Sequence, residues 1–174
     1  MSAAPEVPTR RQAIRLLERG RAETLALVDR LPPRLRTRGL MGPDRWSAKD
    51  AIGHVASWEE HALDALAAWN LGERAPIDAM LAELGTAAIN RQDVERARGR
   101  SLSRVRADAE RIRGELLDAI RAVPEGRWRA PAGGRGSRLL AVRLGRILGG
   151  PAGLFRHEET HHQDLQRLVD ASSG

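Results

Sequence analysis

The chain lacks the residues that build several common kinds of site. It has no cysteine, so any metal site must use nitrogen and oxygen ligands rather than thiolates. It has no tyrosine and one phenylalanine beside four tryptophans, so aromatic platforms for stacking nucleic-acid bases are scarce. No segment reaches the roughly 18 consecutive apolar residues of a membrane span, and residues 1–6 lack a secretion-signal pattern. We therefore expect a cytoplasmic protein that does not bind membranes.

The apolar residues recur at helical spacing, and no run of β-branched residues indicates a strand. A length of 174 residues fits one domain, with flexible ends expected at 1–8 and 172–174. Long helices are predicted over residues 9–31, 47–71, 101–123 and 151–171. Shorter helical segments are predicted at 76–84 and 137–148, and residues 90–100 either extend the third long helix or stand apart from it. The sequence therefore predicts an all-α four-helix bundle.

The charge of the chain is unevenly distributed. The net charge is +6, and Lys49 is the only lysine. Between Glu125 and Glu158 seven arginines occur with no carboxylate to offset them: Arg127, Arg129, Arg135, Arg138, Arg143, Arg146 and Arg156. This segment is either a solvated basic loop or a patch for an anionic substrate or nucleic acid. We take Arg138, Arg143 and Arg146 as candidate anion-binding residues, and we see no recognition helix for nucleic acid.

Two histidines with the spacing of metal ligands lie near the end of the chain, in residues 156–165 (RHEETHHQDL). His157 and His161 are four residues apart, so on a helix both imidazoles share one face and can reach one ion. His162 points elsewhere on such a helix and is expected at the surface or rim. The alternatives are a pair of neutral core histidines or an acid–base pair without metal.

Residues 46–59 (WSAKDAIGHVASWE) carry a further histidine, and Ser47 and Asp50 are placed to cap the helix that follows. His54 and His61 lie on one edge of that helix, two turns apart, so both cannot ligate one ion. Spacing alone does not bring either of them to the histidines near the end of the chain.

These two motifs resemble the signatures of the DinB-like superfamily, which includes YfiT-type proteins and the metal-binding domain of mycothiol-dependent maleylpyruvate isomerase. Asn90 and the long helix after it look most like the ClbS/DfsB-type branch. The resemblance implies an up-down-down-up bundle that holds one divalent metal, typically zinc or nickel. The ligands that it implies are His54, His157 and His161. It also makes a homodimer plausible.

Three imidazole ligands leave an open position on the ion, as in catalytic zinc sites. Such an ion can activate a water for hydrolysis or a low-molecular-weight thiol for transfer or isomerisation. Glu158, Glu59 and Asp50 are candidates for orienting the ligands or moving protons. The sequence thus favours a metal-dependent enzyme acting on a reactive small molecule. The alternative is a module that sequesters such a molecule, with the metal structural or absent.

Overall fold

The computed structural model describes residues 7–133 and 137–173. Arg135 and most of the predicted flexible ends lie outside these residues. The described part is all-helical and contains no β-strand. It has a 3-10 turn at Pro33–Leu35 and the following α-helices: α1 (Arg10–Arg30), α2 (Ala48–Asn70), α3 (Pro76–Leu84), α4 (Thr86–Ala97), α5 (Leu102–Ala122), α6 (Glu125–Trp128), α7 (Leu140–Ile147) and α8 (Glu159–Ser172). None of these helices is long and apolar enough to cross a bilayer.

Local capping fixes where the long helices begin. Thr9 accepts a hydrogen bond from the backbone of Gln12, whose side chain accepts in return from the Thr9 backbone, and Ser47 and Asp50 make the same reciprocal pair. Each pair satisfies N–H groups that have no partner within the helix. The predicted starts of α1 and α2 are therefore confirmed. Residues 90–100 do not extend α5, because most of them belong to the separate helix α4.

The predicted start of the last helix near residue 151 is wrong. The backbone of Gly153 has φ of +114° and that of Phe155 has φ of +61°, which no right-handed helix allows. The Phe155 N–H donates to the carbonyl of Gly145 at 3.0 Å, and the His157 N–H donates to that of Leu148 at 3.1 Å. These bonds tie residues 149–158 to α7 as an irregular segment, and α8 begins only at Glu159.

The helices pack around two clusters of buried apolar residues. α2 packs most extensively against α5, and α1 packs against α8. One cluster includes Leu17, Leu116 and Phe155. The other includes Val28 and Leu165. Along α1 and α5 the two clusters follow each other, so the core is divided along the length of the bundle.

The close approach of α7 to Phe155 gives a test of this packing. A Cβ added at Gly145 would lie 2.6 Å from Cε2 of Phe155. The Phe155 ring is 1% exposed and stacks on Trp128 with the ring centroids 5.9 Å apart, so it has little room to move. Gly145→Ala is expected to lower the free energy of unfolding by about 1–3 kcal/mol, measured by urea denaturation.

Gly114 provides the matched control, since an added Cβ there meets nothing within 4 Å. Gly114→Ala is expected to raise stability by about 0.5–1 kcal/mol because alanine is the better helix former. Similar effects of the two substitutions would contradict the packing described here.

Candidate metal centre

The structure brings together His54 of α2, His157 of the segment before α8, and His161 of α8. Their candidate ligand atoms all lie within 4.8 Å of one another, and no other group of three such side chains is found in the described residues. Nε2 of His54 is 3.0 Å from Nε2 of His157. Two nitrogens bound to one tetrahedral zinc at about 2.0–2.1 Å would be about 3.3 Å apart. The cluster therefore has the dimensions of a metal site.

Different contacts hold the three histidines in place. His54 lies almost two turns into the capped helix α2 and is 3% exposed. His157 is held by its backbone bond to Leu148, with the buried Phe155 and Glu158 on either side. Trp46 packs against the His54 ring at 4.6 Å and the His161 ring at 5.9 Å between centroids. These contacts limit the freedom of the rings before any ion binds.

The environment keeps the three imidazoles neutral. Burial, with the neighbouring His157 and His161, lowers the pKa of His54 to about 2. Burial, with His161, lowers the pKa of His157 to about 3. Burial also lowers the pKa of His161. The neutral imidazole is the form that binds a metal ion, so the triad is in the ligating state at neutral pH.

The unsatisfied nitrogens also fit a metal. Nε2 of His161 is buried and has no hydrogen-bond partner among residues 7–133 and 137–173. An unpaired buried polar atom is costly, and coordination would satisfy this one. The donor set of three nitrogens suits zinc, nickel, copper or iron. The residues present therefore fit one divalent transition-metal ion.

A cavity of about 820 Å³ opens beside the triad, and all three histidines line it. Its apolar part includes Trp46, Trp58, Leu81 and Ile147, and its polar part includes Asn90 and Thr160. The predicted anion-binding residues Arg138, Arg143 and Arg146 line the same cavity. A molecule of metabolite size can thus contact the histidines and this basic segment together.

Behind the triad, four charged side chains from four parts of the chain form one buried network: Arg21 (α1), Glu59 (α2), Arg113 (α5) and Glu158. Nε of Arg21 donates to Oε1 of Glu158 at 2.5 Å, and Nη2 of Arg113 donates to the same oxygen at 3.1 Å. Nε of Arg113 also donates to Oε1 of Glu59 at 2.9 Å. The Thr24 hydroxyl donates to the other Glu158 oxygen at 2.5 Å. The network fixes the residue next to His157.

The two carboxylates of this network differ in their electrostatics. Burial alone would raise the pKa of Glu158, but the charges of Arg21 and Arg113 and the Thr24 hydrogen bond outweigh it and lower the pKa to about 2. For Glu59, burial prevails over the same arginines and raises the pKa. Glu158 is therefore a fixed negative charge beside the triad.

The other predicted site residues have separate contacts. Asp50 is engaged in capping α2 through Ser47. His61 bonds Asp93 at 3.2 Å, outside the triad. His162 is at the partly buried rim, where its Nε2 lies 2.9 Å from the Thr24 hydroxyl. Glu59 and Glu158 lie in the buried network.

Sequence reasoning missed Arg21, Arg113 and Trp46. Arg21 occupies a position of the buried stripe of α1, between Leu17 and Thr24. A charged residue in an otherwise buried stripe is a signal for a buried partner, and this signal was present in the sequence. The contact of Trp46 with two histidines depends on long-range packing that spacing does not encode.

The all-helical fold and the three-histidine centre beside a cavity place this chain among helical proteins with a candidate metal site. A sequence model described as the DinB superfamily matches residues 16–165, so this chain belongs to the DinB superfamily. A search of curated proteins gave no significant match. The chain is similar in fold to a crystal structure of an uncharacterised protein from Escherichia coli UTI89, with a TM-score of 0.75, 10% identity and 96% of each chain covered.

The triad predicts a metal content that depends on individual histidines. Protein purified without an affinity tag is expected to carry about one equivalent of a divalent transition metal, measured by mass spectrometry, and His161→Ala is expected to lose it. His61→Ala is the control and should keep its metal, because His61 contacts Asp93 instead of the triad. Loss of metal in both variants, or in neither, would contradict the assignment.

The buried network predicts a large penalty for removing one of its charges. Glu158→Gln leaves two buried arginines with Glu59 as their one buried carboxylate, so the free energy of unfolding of the metal-free protein should fall by about 3–5 kcal/mol. Metal affinity should fall as well, because His157 adjoins Glu158.

The control is Glu115→Gln, which breaks the exposed pair between Glu115 and Arg111 on α5 and should change stability little. Both variants are compared by urea denaturation in the presence of a chelator. An equally small effect at both positions would show that the network does not hold this region together.

Proposed function

We propose that this chain is a metal-dependent enzyme that binds one divalent ion through His54, His157 and His161 and acts on a small reactive molecule in the adjacent cavity. The observation that carries the proposal is that all three candidate ligands line a cavity of about 820 Å³. A purely structural site is usually closed by its protein ligands, whereas a site of three protein ligands leaves a position for substrate. Zinc and nickel are the ions we expect first.

A divalent ion at this position supplies Lewis acidity to an oxygen or sulfur atom of a bound molecule. The chain itself would orient the bound molecule and offer it an apolar surface. Trp46 and Trp58 shield the histidines on one side of the cavity, and Asn90 is held by a hydrogen bond from Nε1 of Trp58 at 3.0 Å. Glu158 keeps its charge beside His157 and acts on the ligand position rather than on substrate.

Two reaction classes suit this site. In thiol transfer or isomerisation, an external low-molecular-weight thiol would supply the thiol group that this cysteine-free chain lacks. In hydrolysis, water would take that place. A sequestering protein is the second candidate function, because a largely apolar cavity wall can bind a small molecule whether or not a reaction follows.

We also infer that α1, α2, α5 and α8 form the up-down-down-up bundle of this superfamily. Support comes from the residues between α2 and α5, which carry α3 and α4. Two parallel helices require a long crossover of this kind, whereas antiparallel neighbours need only a short loop. A homodimer and a cytoplasmic location stay predictions from the sequence.

Turnover with model substrates separates catalysis from sequestration. The zinc- or nickel-loaded protein is mixed with 2-mercaptoethanol and 1-chloro-2,4-dinitrobenzene, where the thiol sulfur replaces chloride and a proton is released. Hydrolysis of 4-nitrophenyl acetate is followed in parallel. In at least one assay we expect product to exceed protein by about tenfold or more, with loss of activity in His157→Ala and after chelation.

His61→Ala is the control and should retain both metal and turnover. Consumption of no more than one equivalent of electrophile per protein would contradict catalysis and favour sequestration. Turnover that persists in the metal-free protein would contradict the metal-dependent proposal.

A further inference from the structure

We infer that the cavity binds an oxyanion, a carboxylate or phosphate group of the substrate or co-substrate, between Arg138 and Arg146, while the rest of the molecule reaches the histidine triad. This inference deepens the proposed function and rests on it. Of the three arginines that line the cavity, we assign Arg138 and Arg146 to the ligand and Arg143 to positioning α7.

The charges that line the cavity set its preference. Four charged side chains line it, Asp78, Arg138, Arg143 and Arg146, so three positive charges minus one negative leave a net charge of +2. The three neutral histidines carry no negative charge, so they would not offset the positive charge of a bound divalent ion. A site with this excess of positive charge selects an anionic occupant.

Arg143 is already engaged by the protein. It forms a salt bridge with Asp78, and its guanidinium carbon lies 4.7 Å from the centre of the Trp69 ring. Asp78 belongs to α3 and Trp69 to α2, so Arg143 ties α7 to both helices. Its charge is largely compensated, and we assign it to positioning α7 rather than to binding substrate.

Arg138 and Arg146 are different. Neither has a salt-bridge partner among residues 7–133 and 137–173, and both are exposed while lining the cavity. Arg138 precedes α7, and Arg146 lies in its last turn, so the engaged Arg143 anchors the helix that follows Arg138 and carries Arg146. Guanidinium groups bind carboxylate and phosphate through paired hydrogen bonds. The two arginines are thus available at the mouth of the cavity.

The apolar lining completes the expected ligand. Besides the arginines and the histidines, the cavity wall includes Trp46, Trp58, Leu81 and Ile147. The ligand that matches the arginines, the apolar wall and the histidines is a small molecule with an oxyanion at one end, an apolar middle and a sulfur or oxygen donor for the metal. An activated thiol that carries a carboxylate has this composition, and so does an anionic ester or amide.

The test uses succinate and inorganic phosphate as oxyanion probes, titrated by calorimetry into both metal-free and zinc-loaded protein. The double variant Arg138→Gln/Arg146→Gln is expected to bind the preferred probe about tenfold more weakly or worse. The matched control is Arg34→Gln/Arg38→Gln, which removes the same charge from exposed positions that do not line the cavity and should leave the affinity within about twofold. The probe that binds more tightly indicates whether the group is a carboxylate or a phosphate.

Metal content is measured on every sample, so that failure of the anion site and failure of the metal site are distinguishable. Probe binding by a protein that takes up no zinc or nickel would support the oxyanion site while contradicting the proposed function. Equal weakening in both double variants, or no binding of either probe to the wild type, would overturn the inference. If circular dichroism shows that the double variant does not fold, the two single variants are tested instead. Each is expected to weaken binding of the probe about threefold or more.

Discussion

The buried network of Arg21, Glu59, Arg113 and Glu158 is the interaction on which the rest of the structure depends. It lies where the two apolar clusters meet, and each of its members comes from a different part of the bundle. Removing two arginines and two carboxylates from water is costly, and the cost is offset only while each charge keeps its partners. The network therefore tolerates one relative placement of α1, α2, α5 and the start of α8, and that placement also brings the histidines together.

Much of the fold could be predicted from local chemistry. The caps at Thr9 and Ser47 and the apolar rhythm of α5 act within one helix, so they are readable without knowledge of the neighbours. The start of α8 was not predictable in this way, because Leu154 and Phe155 continue the apolar pattern while the backbone at Phe155 is left-handed. The Phe155 ring packs into the space that Gly145 leaves, and periodicity carries no information about that contact.

The candidate metal site could likewise be predicted only in part. The spacing of His157 and His161 predicted a pair, and the resemblance to DinB-like proteins supplied His54. The residues that position them were harder to find, since Arg113 lies in the sequence far from Glu158 and Glu59, and only the folded chain joins them. The engagement of Arg143 with Asp78 was equally invisible, because a run of basic residues does not show which of them already has a partner.

The segment between α7 and α8 positions one ligand of the candidate centre, although it is not part of a helix. One histidine is placed by α2 and one by α8, but His157 belongs to an irregular stretch that is secured at Phe155 on one side and at Glu158 on the other. Residues between Gly149 and Leu154 are not part of any helix, but they have little freedom, because a Cβ added at Gly149 would lie 2.5 Å from the carbonyl oxygen of Gly145 and one added at Gly150 would lie 2.6 Å from Oγ1 of Thr160. Two of the candidate ligands are thus placed by helices and the third by a tightly packed turn, so the geometry of the centre depends on the close packing of two glycines as much as on the helices.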